Sequence, residues 1–234
     1  IIEEDEQAAE AYWGLILSEY GIEYVEDPET KKRIPTCHRT HMQPIVETAN
    51  FKLACKYAEP ENRFLYTEEA ETIDKIQKHI VALSSKIDPY DVFISYKELD
   101  DNTGERTQSS VLAQEIYEAL YKEGIRVFFS RITLEDKIGQ DYEPYIYAAL
   151  RSAKVLLVVA TDAEQCETVW VKNEWRRYLK FMQEDNTKVI IPVFKNMTAY
   201  EFPKELQRFQ AQDMEKVGAL QDLMHGIKKL VTLT

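Results

Sequence analysis

The chain has few basic residues and few cysteines for its length. Its 234 residues include 29 lysines and arginines against 41 aspartates and glutamates, a formal net charge of -12. So acidic a protein opposes the approach of nucleic-acid phosphates, and we expect no nucleic-acid partner. The 3 cysteines, Cys37, Cys55 and Cys166, are odd in number and widely spaced. They do not suggest a disulfide framework, so we expect a reducing, cytoplasmic location.

Long apolar segments are also missing. The longest strongly apolar run, Val155–Ala160, is far shorter than the ~20 residues that cross a bilayer. We therefore expect no membrane partner. The sequence begins at Ile1 without an initiator methionine, which leads us to expect that a longer parent chain was trimmed.

The first part of the chain is rich in helical patterns. Apolar residues at helical spacing predict helices over residues 6–20, 41–57 and 62–85. Residues 24–40 carry Asp-Pro and Ile-Pro steps among charges, which indicates a loop, with a short hairpin as the alternative. We predict that residues 1–87 form an all-helical region with a regulatory or oligomerising role. Cys37, His38 and His41 have only the distant Cys55 as a fourth ligand, so we predict no metal site there.

From Asp88 the pattern changes to alternating strands and helices. Strands are predicted over residues 90–96, 126–130, 154–160 and 188–194, and helices over 109–123, 142–151 and 169–184. Nearly continuous apolar strands such as VLLVVA are typical of parallel sheets covered on both faces. Residues 88–234 are therefore predicted to be an α/β domain with a flavodoxin-like, doubly wound parallel sheet of four or five strands.

In such sheets, ligands bind beyond the carboxyl ends of the strands, where helix N-termini point. This rule selects the residues that follow the first three predicted strands: Ser95, Tyr96, Lys97, Ser130, Arg131, Thr161 and Asp162. No G-x-G-x-x-G follows the first strand, so a bound dinucleotide would be a substrate and not a hydride-carrying cofactor. The acidic pair Asp100-Asp101 lies beyond that strand, which disfavours a phosphate receiver. The 4 histidines give no convincing Ser/His/Asp order.

The helix over residues 169–184 carries the most distinctive pair of side chains. One stripe, predicted to cover the sheet, contains Val171, Trp175, Tyr178, Leu179 and Met182. A second stripe, about 115° around the helix, contains Trp170, Glu174, Arg177 and Phe181. Trp170 and Glu174 are one turn apart, so a ring stacked on the indole would bring its hydroxyls near the carboxylate. The alternative is an ion pair between Glu174 and Arg177 on a solvated face.

Several spaced motifs resemble the Toll/interleukin-1 receptor (TIR) domain family, in particular its bacterial members. The motifs are YDVFISY, GIRVFFSRITLEDKIGQDYEP, SAKVLLVV and WVKNEW, and the resemblance extends over residues 90–232. The family includes enzymes that cleave NAD at the nicotinamide glycosidic bond and adaptors that assemble through TIR–TIR contacts. Its bacterial multidomain members that pair a helical region with a TIR domain can also carry a zinc ribbon further upstream.

The resemblance implies a role for each site residue. Cleaving members carry a glutamate at the position of Glu174, which makes it the expected catalytic residue. Substrate-binding roles are implied for Ser95, Tyr96, Lys97, Arg131, Tyr142 and Trp170. NAD is then a substrate, no cofactor is required, and self-association is expected through the loop of residues 132–141. We therefore expect an NAD glycohydrolase or cyclase in bacterial immune or stress signalling.

Two other functions stay open at this point. One is a non-catalytic interaction module that recruits another TIR domain. The other is an activity like that of nucleoside deoxyribosyltransferases, which use a glutamate nucleophile on a comparable sheet. The carboxylate of Glu174 lies away from the core face of its predicted helix, which favours an enzyme over a non-catalytic interaction module.

Overall fold

The computed structural model describes residues 6–26, 33–37, 39–134 and 142–232. The chain divides into two units, one formed by residues 1–87 and 141–147 and the other by residues 88–140 and 148–234. In the described ranges, no helix has the length and apolar character needed to cross a membrane.

The first unit combines helices with a β-hairpin. Its elements are α1 (Ala9–Tyr20), β1 (Ile22–Glu26), β2 (Arg33–Cys37), α2 (Ala49–Tyr57) and α3 (Pro60–Ser84). Helix α1 ends because Gly21 takes a left-handed conformation, φ 59°, that glycine adopts without penalty. The core is rich in rings: Trp13 of α1 stacks on Tyr66 of α3 with centroids 4.9 Å apart, beside the fully buried Ile16 and Ile73.

The hairpin shows that the all-helical prediction for residues 1–87 was wrong, as was the loop preferred for residues 24–40. Strands β1 and β2 are antiparallel, with Ile22 opposite Cys37 and Tyr24 opposite Pro35. Proline is tolerated because each strand of an isolated pair is an edge strand, where an N–H is not required. The guanidinium of Arg33 lies over the ring of Tyr24, 5.2 Å from the ring centroid. Such side-chain pairs stabilise the strands despite the Pro-rich sequence.

Buried polar side chains of the first unit accept hydrogen bonds from backbone N–H groups. The N–H of Ile45 donates to Asp74 Oδ1 at 2.8 Å, and the N–H of His41 donates to Gln77 Oε1 at 2.7 Å. The N–H of Thr40 donates to Glu143 Oε1, also at 2.7 Å. These bonds satisfy backbone groups of residues 40–45, which lie between β2 and α2.

The second unit contains a parallel sheet. Its strands are β3 (Val92–Tyr96), β4 (Val127–Phe128), β5 (Val155–Ala160), β6 (Val189–Phe194) and β7 (Gln212–Asp213). Its helices are α4 (Gln108–Lys122), α5 (Ser130–Thr133), α7 (Val169–Glu184), α8 (Lys204–Gln207) and α9 (Ala219–Thr232). Helix α6 (Glu143–Ser152) begins in the first unit and ends in the second.

The strand order β4-β3-β5-β6-β7, with all neighbours parallel, is that of a flavodoxin-like sheet. This confirms the predicted fold class. Along β3 the side chains alternate between faces, so Val92, Ile94 and Tyr96 enter one core cluster with helices α4 and α9. Phe93 and Ser95 therefore point to the opposite face of the sheet.

Candidate functional site

The carboxyl ends of β3 and β5 lie at the position where the sequence predicts a ligand-binding crevice. These two strands are adjacent, with Ser95 opposite Val158 and Tyr96 opposite Val159. The chain leaves β3 toward β4 on one side and returns to β5 on the other, which makes this the point where the strand order reverses. Loops diverge at such a point and leave room for a ligand.

Helix α7 follows β5 and is fixed firmly enough to position a side chain. Val171, Trp175 and Tyr178 are buried, as predicted for its core stripe, and the indole N–H of Trp175 donates to the carbonyl of Cys166 at 3.0 Å. Phe181, which belongs to the second stripe, is buried as well, so this stripe also contributes to the core. The aromatic ring extends the core face because Arg151 covers it, with the guanidinium 5.5 Å from the ring centroid.

The side chains of Glu174 on α7 and Ser95 on β3 form a hydrogen bond between the helix and the sheet. The Ser95 hydroxyl donates to Glu174 Oε2 at 2.5 Å, a short contact even for a hydrogen bond to a carboxylate. Ser95 is only 1% exposed, whereas Glu174 is partly exposed. The Glu174 carboxylate is thus hydrogen-bonded to strand β3, near the carboxyl end of that strand.

Tyr96, the last residue of β3, contacts residues that follow β4. Its ring stacks on Phe129 with centroids 4.9 Å apart, and its hydroxyl lies 3.2 Å from Ser130 Oγ. Burial raises the pKa of Tyr96 to about 12, and the charges of Glu98 and Glu174 act in the same direction. The phenol is therefore neutral at physiological pH. It offers a hydrogen-bonding group and no charge.

The two predicted cations differ in their surroundings. The Lys97 ammonium forms an ion pair with Asp101 at 2.5 Å, and most of the lysine side chain is buried. Arg131 lies in the short helix α5 with an exposed side chain, while its backbone interacts with the Tyr96 hydroxyl. Both residues follow strands whose carboxyl ends lie at the crevice.

The two predicted aromatic contacts are exposed. Trp170 lies in the first turn of α7, 60% exposed and one turn before Glu174. Tyr142 lies immediately before α6 and is 41% exposed. It belongs to the segment 141–147 of the first unit, so its substrate-binding role stays a prediction.

A second polar cluster lies at the strand ends, and the sequence had selected only Lys97 and Thr161 of its members. The hydroxyl of the fully buried Ser109, in the first turn of α4, donates to Gln165 Oε1 at 2.5 Å. The same oxygen accepts the N–H of Thr161 at 3.0 Å, just after β5. Thr107 caps α4 and also donates its hydroxyl to the carbonyl of Lys97. The Thr-Gln-Ser-Ser sequence signals the cap, but no local pattern identifies Gln165.

The chemical groups of this crevice are a carboxylate, a neutral phenol, hydroxyls and a flanking lysine. Among the described residues, no group of three or more His, Cys, Asp or Glu side chains is arranged to hold a metal ion. The set is suited to a substrate rich in hydroxyls on which positive charge develops, because a fixed carboxylate stabilises such charge.

Comparisons with known proteins relate part of the chain to a known domain family. Residues 92–231 match the family model described as a TIR domain. A solved structure of a metazoan TIR-STING receptor from C. gigas is similar at 19% identity and a TM-score of 0.43, covering 59% of this chain. The match covers 40% of the receptor chain, so the two proteins share only part of their lengths. No curated protein matches the chain.

Proposed function

The chain belongs to the TIR domain family, and from this premise we propose that it is a bacterial NAD glycohydrolase or cyclase in immune or stress signalling. TIR domains act in signalling or cleave NAD, and they generally self-associate. The observation that carries the enzymatic proposal is the Glu174 carboxylate bound by Ser95 at the strand-end crevice. An adaptor surface has no requirement for a carboxylate held in this way.

In the proposed reaction, the bond between the nicotinamide nitrogen and the ribose C1′ breaks. Nicotinamide leaves with the electron pair, and an oxocarbenium-like ribose remains. The carboxylate of Glu174 stabilises that charge and orients the ribose hydroxyls. Water then attacks C1′ and loses a proton to give ADP-ribose, or a nucleophilic atom of the same substrate attacks to give a cyclic isomer.

The remaining residues have binding roles in this proposal. Trp170 stacks on a ring of the substrate, for which an exposed indole one turn from the carboxylate is suited. Tyr96 contacts the substrate through a neutral hydroxyl, and Lys97 and Arg131 attract the diphosphate. Tyr142 is proposed to contact a ring of the substrate.

Release of nicotinamide from NAD tests the proposal directly. The wild-type protein is expected to release nicotinamide, and Glu174→Gln is expected to reduce the rate at least about 100-fold, because the charge is lost while the shape is kept. Glu184→Gln is the matched control, since Glu184 lies on the same helix and pairs with Arg151 at the surface. Equal activity in wild type and Glu174→Gln would exclude Glu174 from the mechanism.

Two further measurements separate the rival functions. Replacing NAD by a free nucleoside tests the deoxyribosyltransferase-like alternative, which predicts cleavage of the nucleoside and not of NAD. Varying the protein concentration tests assembly, because a site that requires TIR–TIR contacts has a specific activity that rises with concentration. Self-association without nicotinamide release at any concentration would favour the non-catalytic module.

A further inference from the structure

We propose that Ser95 is a positioning residue, which fixes the Glu174 carboxylate through its hydroxyl and does not itself bind the substrate. This inference rests on the proposed cleavage of NAD. It changes the role that the family resemblance implies for Ser95 and separates Ser95 from the neighbouring residues Tyr96 and Lys97.

Ser95 is buried, and its only hydroxyl proton is already donated to Glu174. Ser95 is 1% exposed, so a substrate in the crevice has almost no access to it. A serine hydroxyl has one proton to donate, and that proton is directed to Glu174 Oε2 at 2.5 Å. That proton is therefore not available to a substrate, and the burial of Ser95 limits access to its oxygen.

Ser95 and Glu174 project from elements that restrict their side chains to different degrees. Ser95 lies on β3, which pairs with β4 on one side and with β5 on the other. Glu174, by contrast, has a side chain with several rotatable bonds and projects from a helix. A short bond from a fixed strand restricts those rotations. A carboxylate held in place before the reaction stabilises developing charge without having to reorganise.

The experiment measures kcat and KM for nicotinamide release in Ser95→Ala and Ser95→Thr. Positioning predicts that Ser95→Ala lowers kcat about 10- to 100-fold and leaves KM within about twofold, because only the transition state loses stabilisation. Ser95→Thr keeps the hydroxyl and is expected to recover most of kcat. The matched control is Ser110→Ala, which removes another buried hydroxyl of this unit, one that accepts from Arg106 at 2.9 Å.

A double variant tests whether Ser95 acts through Glu174. In the Glu174→Gln background, Ser95→Ala is expected to reduce kcat by less than about twofold, because residues that act as one unit are non-additive. A rise in KM with unchanged kcat would overturn the inference and restore substrate binding by Ser95. Equal losses in the two backgrounds would also overturn it. Absence of nicotinamide release by the wild type would instead reject the proposed function, and the inference with it.

Discussion

The two units differ in the groups that bind their polar side chains. In the first unit, Asp74, Gln77 and Glu143 accept hydrogen bonds from backbone N–H groups. In the second unit, Glu174 and Gln165 accept hydrogen bonds from the side chains of Ser95 and Ser109 at the strand ends. Side chain–side chain bonds are the less common class in folded proteins. The bonds of Glu174 and Gln165 lie near the strand ends, where a ligand is expected, whereas those of Asp74, Gln77 and Glu143 hold the backbone.

The largest expected effect on stability belongs to the support of α7. Trp175→Ala removes a fully buried indole and its bond to the Cys166 carbonyl. We expect it to lower the free energy of unfolding of the second unit by about 3–5 kcal/mol. Urea denaturation measures the change. Trp175→Phe, which keeps a ring, is the control and should cost less. An unchanged denaturation midpoint in Trp175→Ala would contradict this account of α7.

Substitution of Asp74 tests whether the buried polar side chains of the first unit are only structural. Asp74→Ala leaves the N–H of Ile45 without its acceptor and is expected to cost about 1–3 kcal/mol of stability. The rate at which Asp74→Ala releases nicotinamide should equal that of the wild type at temperatures where both proteins are folded. Asp74→Asn keeps an acceptor oxygen and should cost less. Loss of activity in a fully folded Asp74→Ala would show that the polar groups of the first unit are not solely structural.

The pH dependence of stability provides a weaker test in both units. The pKa of Tyr96 is raised to about 12 by burial, and burial also raises the pKa of Tyr20 in the first unit. Above the ordinary tyrosine pKa of about 10, the unfolded chain loses protons that the folded chain keeps, so stability falls as pH rises. Tyr96→Phe and Tyr20→Phe should each reduce this slope, by at most about 1.4 kcal/mol per pH unit.

Urea denaturation between about pH 9 and pH 12 measures these slopes. Tyr200→Phe is the control, since the Tyr200 side chain is 87% exposed and this substitution removes no buried hydroxyl. A slope in Tyr96→Phe equal to that of the wild type would contradict the buried, neutral phenol beside the crevice.

The smallest expected effect concerns a surface ion pair. Lys228 lies 2.5 Å from Glu123, and both side chains are nearly half exposed. Lys228→Ala should cost less than about 1 kcal/mol, and the difference should shrink as salt is added. Denaturation at low and high salt measures it. A large, salt-independent loss would show that ion pairs at the surface of this unit are not minor.

The sequence was sufficient for the main elements of the second unit because their patterns are local and long. Helix α7 begins and ends at the predicted residues, and β5 begins one residue later than predicted. Strand β7 has only two residues, too few to show a period, and it was not predicted. For the hairpin of the first unit, the sequence favoured a loop, because its prolines were interpreted as loop residues.

The site was only partly predictable for a related reason. Strand ends and helical angles selected Ser95, Tyr96 and Glu174 as candidates. The bond between Ser95 and Glu174 joins residues 79 positions apart, and the bond between Ser109 and Gln165 joins residues 56 positions apart. Such pairs depend on how strands and helices pack. No spacing rule within one element identifies them.

Helix α6 has a consequence for how this protein can be inherited and recombined. Its first residues belong to the first unit, where Glu143 accepts the N–H of Thr40, and its last residues belong to the second. The first unit is therefore encoded by two separate stretches of the gene. Transfer of residues 1–87 to another protein as one cassette would leave Thr40 without its acceptor. Evolutionary exchange of this unit is expected to preserve both stretches together.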